Sequence, residues 1–61
     1  MHMEPMTTWE AAEVLGVHVT TVTRMVQRGD MHAITKLRGR TGDYLFDPAE
    51  VERVATERRA S

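Results

Sequence analysis

Arg24, Gln27 and Arg28 fall within one helix-length stretch, "VTTVTRMVQR", alongside Thr20, Thr21 and Thr23 and without a carboxylate. Arginine and glutamine can bond base edges or phosphates, and threonine hydroxyls and methyls suit phosphates and thymine. An acid on that face would repel phosphates. A merely solvated helix face normally mixes Glu with Lys and Arg, so the acid-free pattern favours DNA over plain solvation. A second basic group follows, with Lys36 leading into "RGRTG" and its Arg38 and Arg40. Arginines at a hairpin tip beside a groove-reading helix form a wing that reaches the minor groove or the backbone.

Nothing comparable supports covalent or metal chemistry. His2, His18 and His32 lack a cysteine partner, since the chain has none, and lack an acidic orienter at metal-ligand spacing. Ser61 is the sole serine, so no serine triad exists, and the glycines sit singly in turns rather than in a phosphate cradle. The histidines read as surface or capping residues and the methionines as gap-fillers. The expectation is a non-enzyme without cofactor, metal or small-molecule ligand.

Positioning the basic residues requires a short series of elements. Thr7 with Glu10 three residues on forms a capping box, with Met6 as a staple onto Ala11. The first helix then runs over about 8–15, with Trp9, Ala11, Ala12, Val14 and Leu15 on its apolar arc and Gly16 as its stop. Val19, Val22, Met25 and Val26 repeat at helical spacing, which predicts a second helix over about 19–28, ended by Gly29. Its threonines are mediocre helix formers. "AITKL" and "YLF" alternate like strands around the six-residue loop "RGRTGD", a hairpin. Asp47 as N-cap, Pro48 at the first helical position and Glu50 closing a second capping box open a third helix. Its stripe is Val51, Val54 and Ala55, and it should fray after about residue 57.

Sixty-one residues make one domain, 1–61, with an ordered core of about 6–57. Such a chain buries only about 60% of its unfolded surface, so stability is marginal. The core is expected from Trp9, Leu15, several valines, Met25, Ile34, Leu37, Tyr44, Leu45 and Phe46. Apolar runs are too short to span a membrane, and no signal peptide is visible, which places the chain in the cytoplasm. The formal net charge of −1 conceals a segregation: residues 1–15 sum to −3, 16–42 to +4, and 43–61 to −2. A polyanion would land on the middle block. Residues 1–3 are assigned no function.

Two short helices joined by "GVH" match a helix-turn-helix, whose second helix enters the major groove. The whole run "TTWEAAEVLGVHVTTVTRMVQRGDMHAI", a basic hairpin, then "YLFDPAEVERV" resembles the excisionase-type winged helix-turn-helix, a relative of the MerR DNA-binding domain. The resemblance covers about residues 6–57 and rests on the "TTxEAA" opening, "LGV", "TTV", Gly29 with an apolar neighbour, the basic wing and "DPAEVE". It implies a mainly α fold with a small β-hairpin, ordered helix, turn, helix, hairpin wing, helix. It also implies a recombination directionality factor that bends attachment-site DNA and directs an integrase toward excision of a prophage. Thr20, Thr21, Thr23, Arg24, Gln27 and Arg28 would then lie in the major groove, Arg38 and Arg40 on the flanking minor groove or backbone, and Lys36 near phosphate.

The chain departs from such relatives at His18-Val19, where they often carry Ser-Pro, at Thr23, where an arginine is common, and at Met25, often aromatic. These departures shift weight to Arg24 and Arg28. A module of this size buries roughly 600–1,000 Å² on DNA, so several copies should bind adjacent direct repeats, head to tail. Two other readings stay open: a small MerR-like regulator without an effector domain, which would use the same fold and residues, and a protein-interaction module that turns the same face to an acidic partner.

Overall fold

The computed structural model describes residues 4–37 and 43–60. Its elements are β1 (Met6–Thr7), α1 (Thr8–Leu15), α2 (Val19–Arg28), β2 (Thr35–Lys36), β3 (Tyr44–Phe46) and α3 (Pro48–Ala60). The three strands form one antiparallel sheet ordered β1-β3-β2, with Met6 opposite Phe46 and Lys36 opposite Tyr44. Three helices and this sheet make a winged helix-turn-helix, with the β2–β3 hairpin in the wing position. β1 was not expected. A two-residue strand carries no alternation to read, and its pairing depends on β3 arriving from a distant part of the chain.

Local signals set the helix ends. Thr7 and Glu10 exchange both bonds of the capping box, Glu10 N–H to Thr7 Oγ1 at 3.2 Å and Thr7 N–H to Glu10 Oε1 at 2.9 Å. α1 and α2 stop at Gly16 and Gly29, whose φ values of 70° and 84° are left-handed. A Cβ at either would meet nothing within 4 Å, so backbone conformation rather than space is what selects glycine there. At α3 the second capping box does not form. Asp47 Oδ1 accepts from Ala49 N–H at 2.9 Å, as an N-cap should. The Glu50 carboxylate instead turns to His32 N–H and the Arg53 guanidinium. α3 also continues through Ala60, past the fraying point expected from its sequence. Ion pairs from Arg53 to Glu57 and from Arg59 to Glu52 brace its polar side where apolar anchors run out.

The core gathers Ala11, Ala12, Val22, Met25, Met31, Phe46, Val51, Val54 and Ala55. Three expected members are exposed, Trp9 at 64%, Ile34 at 59% and Leu37 at 36%, while Leu15 and Tyr44 pack half-buried at its edge and Leu45 is half-buried outside it. Val14, placed on the buried arc of the first helix, is also exposed. The reason is angular. At about 100° per residue, Thr8, Ala11, Ala12 and Leu15 cluster around one direction, and Trp9 and Val14 lie roughly 110° to either side of it. An arc wide enough to include both exceeds half the helix circumference, and a helix this short buries only the middle. Small alanines at the centre let the neighbouring elements close onto α1.

Thr8 completes that centre although it is polar. It is 1% exposed, and its hydroxyl accepts the Tyr44 N–H at 2.9 Å, tying α1 to β3. That bond satisfies a strand donor that β2 and β1 leave free, at a site where an apolar side chain would strand it.

Candidate nucleic-acid interface

α2 divides lengthwise. Val22 and Met25 are buried, with Val19 and Val26 packed at their edges. Directly opposite lie Thr20, Arg24 and Gln27, all exposed. Thr23 and Arg28 flank this stripe on either side. Thr21 lies furthest round, half-buried and toward the core edge. The sequence-derived set therefore resolves into a central trio, two flanking residues and one marginal member.

The chemistry of the members differs. Thr23 is half-buried and its hydroxyl donates to Val19 O at 3.3 Å, so outward it offers an acceptor and a methyl rather than a free donor. Arg28 is drawn toward Asp30 by an ion pair of 3.0 Å, with both side chains well exposed. Arg24 makes no ion pair among the described residues and keeps its whole fork of donors for a partner. Asp30, just beyond the helix, thus stands at the end of the stripe and neutralises part of one arginine.

The N-terminus of α2 is closed by His18. Its Nδ1 accepts the Thr20 N–H at 3.1 Å, and the Thr20 hydroxyl also lies 3.1 Å from that nitrogen. An imidazole here performs the role that a serine more often fills, at the cost of holding Thr20 Oγ1 in the cap. Lys36 stands apart on β2, exposed and opposite Tyr44. Arg38 and Arg40, the proposed wing tip, lie outside the described residues.

Two helices meeting at a three-residue turn, the second with a basic acid-free outer face, are the decisive geometry. Residues 5–59 match the family model described as a helix-turn-helix domain. The chain belongs to this family. No curated protein and no solved structure matches it. In a helix-turn-helix the second helix lies in the major groove while the first crosses the backbone. Family and fold together point to sequence-specific DNA binding by this helix-turn-helix domain. Among the described residues no group of three His, Cys, Asp or Glu side chains could hold a metal ion. No described helix is long and apolar enough to cross a membrane.

Sequence reasoning missed three contributors to the site's frame. Met31, which follows α2 and is 1% exposed, anchors the helix's exit in the core. Its signal was the Gly-Asp-Met run, in which an apolar residue follows a helix stop. Glu50 holds the same exit from α3 through His32 N–H at 2.9 Å, a contact across 18 residues that no local pattern announces. Trp9 sits beside the stripe rather than beneath it.

Proposed function

We propose that this helix-turn-helix domain is a phage or prophage excisionase, which binds attachment-site DNA, bends it and directs an integrase toward excision. The observation carrying the DNA-reading part is the exposed stripe of Thr20, Arg24 and Gln27, flanked by Thr23 and Arg28, on a helix without an acid. Thr21 contributes at the margin, and Lys36, Arg38 and Arg40 add phosphate and flanking-groove contacts from the hairpin. The excisionase role is supported by the resemblance of residues 6–57. One module offers too little surface for tight binding alone, so copies fill adjacent direct repeats head to tail. In such an array Glu13, exposed on α1 and without an ion pair among the described residues, is an acid available to a neighbour's basic hairpin. Glu52 and Glu57 are already engaged within α3.

The test is excision of a prophage-type substrate by the partner integrase with and without this protein, together with footprinting of the attachment site. Stimulated excision with cooperative, periodic protection supports the proposal. A single isolated footprint without a bend, and no effect on excision, assigns the chain to transcriptional regulation instead.

A further inference from the structure

Trp9 is the sole tryptophan of the chain and, among the described residues, the most exposed large apolar side chain. Its surroundings are specific. Together with Val19, Thr20, Thr23 and Asp43 it lines an open cleft of about 360 Å³ between the start of α1, the first turns of α2 and the root of the hairpin. Thr20 and Thr23 belong to the proposed reading face, so the indole borders that face on the side where the first helix of a helix-turn-helix crosses the DNA backbone. Core packing does not account for it, because Thr8, Ala11 and Ala12 already fill the buried face of α1.

We infer that Trp9 is a backbone-contacting residue of the DNA complex, resting on the DNA-binding reading above. The flat indole packs along one deoxyribose-phosphate strand, and Nε1–H donates to a phosphate oxygen as α2 enters the adjacent major groove. Tryptophan suits a surface that is apolar on one side and wet on the other, since its ring covers sugar carbons while its single donor keeps a polar partner. Asp43 shapes the contact. Its carboxylate disfavours a phosphate seated in the cleft itself, so the strand runs over the indole rim, and Trp9 fixes how deeply and at what angle α2 docks. The contact carries no sequence information directly but sets the register in which Thr20, Arg24 and Gln27 meet base edges.

The test uses the full chain and a duplex selected from a randomised library. Because Trp9 is the only indole, its emission reports this site alone: on binding, the emission should change and acrylamide access should fall. Trp9→Ala should weaken binding roughly three- to tenfold with an unchanged melting temperature and an unchanged salt slope, since no cation is removed. Trp9→Phe, which keeps a ring but no donor, should lie between. An indole as accessible in the complex as in the free protein, or Trp9→Ala binding within about twofold of wild type, overturns the inference and leaves DNA binding intact. Should Trp9→Ala unfold, the wild-type quenching measurement decides. If no duplex is selected by the wild-type chain, the DNA reading itself fails and the role of Trp9 falls with it.

Discussion

Glu50 on α3 accepts the backbone N–H of His32 at 2.9 Å, and the two residues are 18 positions apart. The same carboxylate takes two bonds from Arg53, at 2.8 and 2.9 Å. One side chain thereby joins α3 to the segment that leaves α2. The Arg53 guanidinium, with the His32 amide behind it, holds the Glu50 carboxyl down at about 2.

Because that group is depressed in the folded protein, its contribution is fully present above the ordinary carboxyl range and is lost as pH falls from about 4.5 through about 2. Glu50→Gln should lower stability by about 1 kcal/mol at neutral pH, a modest figure because Arg53 is partly solvated. The difference in melting temperature between wild type and Glu50→Gln should shrink toward zero across that same acid window. A difference that stays constant with pH would show that the carboxylate's charge is not what the contact uses.

The buried Thr8 hydroxyl gives a second expectation. Thr8→Val keeps shape but leaves the Tyr44 N–H without its acceptor, which should cost about 1–3 kcal/mol. Thr8→Ser, which retains the oxygen, should recover much of the loss. Chemical denaturation of the two variants reads the comparison directly.

At the start of α2, His18→Ala removes the acceptor for Thr20 N–H and should destabilise the domain by about 0.5–2 kcal/mol. His18→Ser should be neutral or stabilising, and it frees the Thr20 hydroxyl from the imidazole. Equal melting temperatures for wild type and His18→Ala would mean that the cap contributes nothing in solution.

The arginines should respond differently on DNA. Arg24→Ala should weaken binding and reduce the salt slope by about 1 if the side chain meets a phosphate. Arg28→Ala should cost less, because Asp30 already neutralises part of its charge at 3.0 Å. Asp30→Asn should strengthen binding, having removed a competitor for Arg28 and an acid close to the phosphates. Binding isotherms at several salt concentrations separate these cases, and an Asp30→Asn variant no tighter than wild type would remove Asp30 from the account.

The elements with strong local chemistry are legible in the sequence itself. α1 and α2 span the residues that the Thr7 box and the two glycines delimit, and the alternation in "YLF" marks β3. What escaped was settled by distant neighbours. Glu50 abandoned a box with Asp47 because His32 and Arg53 offered it three bonds. Trp9 looked like core by hydrophobicity, and only the packing direction of Ala11 and Ala12 shows that it lies off the buried face. Within the site, residue type identified the stripe, but the back-bond of Thr23 and the ion pair of Arg28 are three-dimensional facts. The ion pair separates Arg28 from Arg24, which the sequence had weighted alike.

The lengthwise division of α2 has a consequence for how such a protein can change. Val22 and Met25 hold the fold and never reach the outer face, whereas Thr20, Arg24 and Gln27 are absent from the core. On the reading proposed above, substitutions in the outer trio leave the core packing untouched while altering which bases are met. Target preference can drift, or be redesigned, without first passing through a damaged scaffold.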